Sequence, residues 1–262
     1  MINKEKYIAH IKEEDMKYLL TQTLDKAEVV LKNHDIKTTD FLNPYELKMI
    51  TSILSSFPDI AWISAGGYEK AERKMLVIFQ DYLTTDVIER PLAALKVVNT
   101  SEFTILNHRD YLGALLSLGI KREKIGDIIL HNSGCYIILE KTLKDYVLFN
   151  LHKIGNNSIT IKEISLDDIK PLEIKFKEIT GTVASLRLDS IISLAFKTSR
   201  TEAQALISRE KVYINWSVAN KNFHEMNKGD IISVRGRGRV IVEEIQGKTK
   251  SGRIHIKLKK PI

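Results

Sequence analysis

The apolar positions along the chain change period several times, and each change marks an element. Residues 12–33 set Met16, Leu19, Leu20, Thr23, Leu24, Ala27, Val30 and Leu31 near helical spacing, which predicts an amphipathic helix. Asn43-Pro44 begins a second helix, with Asn43 as N-cap and Pro44 at its first position. Leu47, Ile50, Ile53 and Leu54 follow before Pro58, so residues 1–58 read as helical. The pattern then turns to short β-rich runs, Ile60–Ala65 and Met75–Phe79, around Gly66-Gly67.

A longer series begins at residue 92. Leu92–Val98 reads as a strand, and residues 108–118 as a helix capped by Asn107 and ended at Gly119. Asp127–His131 and Cys135–Leu139 read as a hairpin around Asn132-Ser133-Gly134. Lys141–His152 reads as a second helix and Ser158–Ile164 as a last strand. This β-α-β-β-α-β order is ferredoxin-like, an order shared by RNA-recognition motifs and many unrelated proteins. Tyr136 and Phe149 are aromatic candidates for stacking there, and each also fits a core position. Residues 165–180, with Asp167-Asp168 and Lys170-Pro171, lose periodicity and read as a linker with room for a strand.

Beyond the linker, Leu188, Ile191, Ile192 and Ala195 give a short helix its apolar face. Ser199-Arg200-Thr201-Glu202 is a capping-box sequence. Ser199 is expected to accept from the Glu202 amide, and Glu202 to reach back to the Ser199 amide. A second helix buries Ala203, Leu206 and Ile207, and four strands follow at Val212–Ile214, Ile231–Val234, Val240–Ile245 and Arg253–Leu258. The expected class is α+β and multidomain. An α+β unit spans 1–82, a ferredoxin-like (RRM-like) unit 83–164, the linker 165–180 and a C-terminal unit 181–262.

Charge changes the picture once it is divided. Residues 187–262 carry 16 Lys and Arg against 7 Asp and Glu, leaving 24 against 26 in residues 1–186. The C-terminal unit thus holds all the net positive charge, which points to a polyanionic partner. Helix starts expose backbone amides there, and Arg187 and Arg200 sit at two such starts with planar donor forks suited to phosphate. Gln204 lies one turn beyond Arg200, and Lys197, Arg209 and Lys211 extend the basic surface. Arg235, Arg237 and Arg239 alternate with Gly236 and Gly238, which let the backbone approach a ligand closely.

The single Cys135 excludes an intramolecular disulfide and a Cys-based zinc cluster, and its apolar strand places it in the core. The N-terminus lacks the apolar segment of a signal peptide, and no run approaches the roughly 20 apolar residues that cross a bilayer. A cytoplasmic location without a membrane partner is expected. The seven histidines form no H-x-x-x-H or Cys/His pair, so no metal site is expected.

Four blocks carry a specific resemblance. Arg187-Leu188-Asp189, Ser199-Arg200-Thr201-Glu202-Ala203, Lys211-Val212-Tyr213-Ile214-Asn215 and Lys228-Gly229-Asp230 occur in the order of an S4 domain's motifs. The C-terminal unit resembles an S4 (αL-type) RNA-binding domain. The resemblance implies RNA contact by Arg187, Lys197, Ser199, Arg200, Thr201, Gln204, Arg209, Lys211, Arg235, Arg237 and Arg239. Trp216 departs from the pattern, which has Gly after the Asn. An altered turn is expected there, with the indole packed on the middle domain or stacked on a base.

The segment His108-Arg109-Asp110-Tyr111-Leu112-Gly113-Ala114-Leu115-Leu116, continuing through Ile128, resembles the hallmark of the bacterial YlmH family. That resemblance covers nearly the whole chain. It implies a non-enzymatic RNA-binding protein with rRNA or tRNA as partner, acting on large ribosomal subunits obstructed by peptidyl-tRNA. It also carries an association with cell-division gene neighbourhoods. Arg109, Lys121 and Arg122 are candidates for a second RNA contact, and a monomer without cofactor is expected.

Two other readings stay open: an S4-targeted RNA-modifying enzyme, and a division or translation scaffold with nonspecific RNA binding. Against the first, Asp189 opens the S4 pattern itself rather than a separate pseudouridine-synthase domain. Gly66-Gly67 lacks the strand–loop–helix context of a methyltransferase, and synthetase signatures are missing. Gly247-Lys248-Thr249 lacks the earlier Gly of a P-loop, and His108-Arg109-Asp110 lacks the remaining kinase motifs.

Overall fold

The computed structural model describes residues 2–100, 106–170 and 175–262. In it, the predicted N-terminal helical region divides into α1 (Lys4–Ile8), α2 (Glu14–Asn33), a short strand β1 (Lys37–Thr38) and α3 (Pro44–Leu54). The inward residues of α2 include Met16, Leu20, Leu24, Ala27 and Val30, all buried. Asn43 caps α3 in a full capping box with Glu46, a feature worth about 1 kcal/mol. β2 (Ile60–Ala65) and β3 (Met75–Gln80) complete a three-stranded sheet in the order β1-β3-β2.

The next elements follow the expected β-α-β-β-α-β order. They are β4 (Leu92–Asn99), α4 (His108–Ser117), β5 (Ile125–His131), β6 (Gly134–Glu140), α5 (Lys144–Asn150), β7 (Lys153–Ile154) and β8 (Asn157–Ile164). Asn107 and Asp110 form a second full capping box, at the start of α4. The predicted helix over 141–152 is shorter. Its first three residues form a 3-10 turn, and its end becomes β7, which pairs with β8. The sheet order is β5-β6-β4-β8-β7, with every neighbour antiparallel. α4 and α5 cover one face through Tyr111, Leu115 and Val147, packed on Leu95, Val97 and Ile137.

The chain forms two compact units, Met1–Leu172 and Glu173–Ile262. Segments 1–82 and 83–164 thus belong to one unit, joined by polar as well as apolar contacts. The Asp127 carboxylate accepts from the Tyr68 hydroxyl (2.9 Å) and from the amides of Glu72 (2.7 Å) and Arg73 (3.1 Å).

The second unit opens with β9 (Phe176–Val183), which begins in the segment 165–180 expected as a linker with room for a strand and runs beyond it. Pro171 of that segment lies outside the described residues. α6 (Leu188–Phe196) and α7 (Arg200–Ser208) follow, then β10 (Val212–Ile214), β11 (Ser217–Val218), β12 (Ile231–Val234), β13 (Gly238–Lys248) and β14 (Ile254–Pro261). The six-stranded sheet runs β11-β10-β12-β13-β14-β9. Its inward residues Ile232, Val234, Val240 and Val242 pack against Leu188, Ile191, Ile192, Ala203 and Ile207 of the two helices.

Candidate nucleic-acid interface

α6 and α7 meet at a buried carboxylate. Asp189, in the first turn of α6, is fully buried, and three side chains converge on it. Arg187 donates through Nε to Oδ1 (3.2 Å) and through a terminal nitrogen to Oδ2 (3.1 Å). Arg200, at the first turn of α7, donates to the same Oδ2 (3.0 Å), as does Gln204 one turn later (2.8 Å). Burial alone would raise the Asp189 pKa. The hydrogen bonds from Arg187, Gln204 and Arg200 overcome that and hold it at about 2. The Arg187 and Arg200 side chains remain 39% and 50% exposed, so each fork is anchored at one edge and retains donors for a ligand.

The start of α6 does not offer free amides. Leu188 N–H donates to the His224 carbonyl (2.9 Å) and Asp189 N–H to the Asn222 carbonyl (3.4 Å). Anion binding there falls to the side chains. At α7, Ser199 Oγ accepts from the Glu202 amide (3.1 Å), as expected. The reciprocal half of the box is not made. The Glu202 carboxylate instead accepts from the Thr198 hydroxyl and the Arg237 guanidinium. These stronger donors out-compete a backbone amide, and the pairing fastens the loop between β12 and β13 to the start of α7.

The remaining predicted residues separate into groups. Lys197 caps α6 in a left-handed conformation (φ 51°) and is exposed, as are Thr201, Arg209, Lys211 and Arg235. The Arg235 amide donates to the Lys211 carbonyl (2.8 Å), which sets these two basic residues side by side. Arg239 faces away from the helices. Its Nε donates to Ser233 Oγ (3.2 Å), and its guanidinium lies 5.2 Å from the Trp216 ring centroid. The Trp216 turn is not rearranged. Asn215 (φ 47°) and Trp216 (φ 68°) both keep the left-handed conformation of a two-residue hairpin turn. Trp216 adopts it despite its side chain, and the indole packs under Arg239.

In the first unit, Arg109 and Lys121 are exposed. Arg122 turns inward and donates to the carbonyls of Ile125 and Gly126, the latter at 3.3 Å. Burial, with the neighbouring Arg73 charge, lowers its pKa to about 10. Cys135 is buried, and burial pushes its thiol pKa up. Among the described residues no cluster of His, Cys, Asp or Glu is arranged to hold a metal ion, and no helix is long and apolar enough to cross a membrane.

Sequence reading placed Arg187 and Arg200 at the two helix starts and did not single out the acceptor they share. Asp189 reads as a helix-start residue favourable to the dipole, and only the packing of α6 on α7 reveals it as a shared acceptor.

This second unit is an S4 domain, and residues 186–232 match that family's model. Residues 16–83 match the family described as "YlmH, N-terminal" and residues 90–168 match "Putative RNA-binding domain in YlmH". The chain is 32% identical over 236 residues to ribosome-associated protein quality control protein P2 of Bacillus subtilis (strain 168), covering 90% of this chain and 91% of the relative. It belongs to the YlmH family. The solved structure of cell division protein YlmH from Streptococcus pneumoniae shares its fold over 61% of this chain and 97% of that one (TM-score 0.52, 20% identity).

Proposed function

We propose that this chain binds structured RNA, rRNA or tRNA, without catalysing a reaction. In this reading it acts in the cytoplasm as a monomer, on large ribosomal subunits obstructed by peptidyl-tRNA during ribosome quality control. The observation that carries the RNA-binding reading is the Asp189 anchor, which holds Arg187 and Arg200 in fixed relation with donors to spare. Such forks suit phosphate and give affinity more than sequence readout. Arg237, tied to α7 through Glu202, extends the basic surface from the loop side. The quality-control assignment is supported by the name of the Bacillus subtilis relative. The RRM-like strand order of the first unit supports a second contact with RNA.

Co-sedimentation of cell extract on a sucrose gradient at moderate salt tests this. Wild type is expected with free large subunits, and a folded Arg187→Glu/Arg200→Glu variant at the top of the gradient. Both proteins at the top would overturn stable ribosome binding, and both with the subunits would remove these arginines from the interface.

A further inference from the structure

The sheet formed by β4 to β8 has one face covered by α4 and α5. Its other face is divided. At one end Ala94 and Ile138 pack with Phe41, Ala65, Met75 and Ile169, a buried cluster that extends to Tyr136. The other end carries Lys96 and Val98 of β4, His131 of β5, Tyr136 of β6, and Thr160 and Lys162 of β8. None of these six is acidic, and Thr160 and Lys162 are exposed. Lys153 of β7 joins the same face through its pairing with Ser158.

Two features of this half-face lack an internal counterpart. Lys96 and Lys162 are direct cross-strand partners, and like charges so placed destabilise a sheet. Among the described residues neither lysine forms an ion pair with a carboxylate. Beside them, the buried Tyr136 ring has the Lys96 ammonium 6.0 Å from its centroid and the His131 ring at 4.7 Å. The Ser133 amide donates to His131 Nδ1 (3.3 Å), which leaves the proton of the neutral ring on Nε2. That Nε2 is buried and has no hydrogen-bond partner among the described residues. Burial and the Lys96 charge both lower the His131 pKa, so the ring is neutral at pH 7.

We infer that this half-face is a second RNA-binding surface, where Lys96 and Lys162 take adjacent phosphates of a single-stranded segment and the half-buried His131 ring meets its base. Phosphates between the two ammonium groups turn repulsion into attraction. The His131 ring, held against the buried Tyr136, supplies the aromatic contact that single-stranded RNA uses. The surface lies on the opposite side of the sheet from Arg109 of α4, so it is distinct from the contact predicted at Arg109, Lys121 and Arg122. The inference rests on the RNA-binding reading above.

The test titrates the full chain with a fluorescein-labelled 12-nucleotide oligouridine over a salt series. It compares wild type, Lys96→Gln/Lys162→Gln and Arg187→Gln/Arg200→Gln. The sheet variant is expected to flatten the plot of log affinity against log salt by about 1.4, at about 0.7 per phosphate contact on a single strand. Its melting temperature is expected to hold or rise, because the like-charge pair is gone. A purely structural role for the lysines would lower the melting temperature and leave the slope unchanged. An unchanged slope in the sheet variant, with binding lost only in the arginine variant, overturns this surface and leaves the S4 reading standing. No binding by wild type to oligouridine or to a folded rRNA fragment would bring down both.

Discussion

Replacing Asp189 with Asn keeps the side-chain shape and removes the charge on which Arg187, Arg200 and Gln204 converge. The carboxylate is fully buried, and its Oδ2 accepts three N–H groups at 2.8–3.1 Å. An Asn can present its oxygen to those three, but its NH2 then faces Arg187 Nε, a donor against a donor. Breaking one side of a buried ion pair costs about 3–5 kcal/mol when the remaining charges stay buried. Here the arginine side chains are 39% and 50% exposed and can turn to water, so the loss should fall near 2 kcal/mol. Proton linkage gives a similar figure, since lowering the pKa from 3.8 to about 2 corresponds to about 2 kcal/mol. The sign follows from a depressed carboxylate pKa. The stabilisation is fully present above pH 4 and disappears as the pH falls through 2. The assay is urea unfolding followed by tryptophan fluorescence. The chain has two tryptophans, Trp62 in the first unit and Trp216 in the second, so a Trp62→Phe background isolates the S4 unit. Asp189→Asn should lower the midpoint at pH 7, with the gap from wild type narrowing below pH 4. Equal midpoints at pH 7, or a gap independent of pH, would refute the anchoring argument.

Two further outcomes follow from the same unit. Arg200→Ala should flatten the salt dependence of structured-RNA binding by about 0.9, the share of one phosphate contact, using the duplex DNA value as a proxy; an unchanged slope in a folded variant would take Arg200 out of the interface. At Trp216, Ala keeps the left-handed backbone and loses the Arg239 stack, whereas Gly loses the stack but relieves the backbone. Thermal melts should therefore place Trp216→Gly about 1 kcal/mol above Trp216→Ala in stability, and equal melts would mean that the turn carries no strain.

The legible parts of the fold are those with local chemistry behind them. Asn43 and Asn107 start helices because each side chain can satisfy amides in the first turn while Glu46 or Asp110 reaches back. β1, β7 and β11 have two residues each, too few for an alternation, and exist because a neighbouring strand offers partners. β9 was legible only as room for a strand in the linker, for a related reason. Its sequence, Phe176-Lys177-Glu178-Ile179-Thr180-Gly181-Thr182-Val183, has little alternation, but β14 pairs with it along its whole length. Gly134 reads as a turn residue, yet it lies in β6, where a Cβ would come within 2.0 Å of the Val97 carbonyl oxygen. Its need for glycine comes from a strand 37 residues earlier, which no local pattern encodes.

The site divides along the same line. Arg187, Arg200 and Gln204 could be placed on helix starts from motif and spacing, but what orients them could not. Asp189 gathers donors from 2, 11 and 15 residues away, across two helices whose crossing is set by their apolar faces. Glu202 shows the limit more sharply. Its local partner was the Ser199 amide, and a guanidinium 35 residues downstream takes its place. Arg239 belongs to the same Gly-Arg alternation as Arg237, yet Arg237 lies in the turn before β13 and reaches Glu202, whereas Arg239 lies within β13 on the face away from the helices, against Ser233 and Trp216. A basic motif therefore specifies which charges are available, while the carboxylates and strand register decide which of them can act on one ligand.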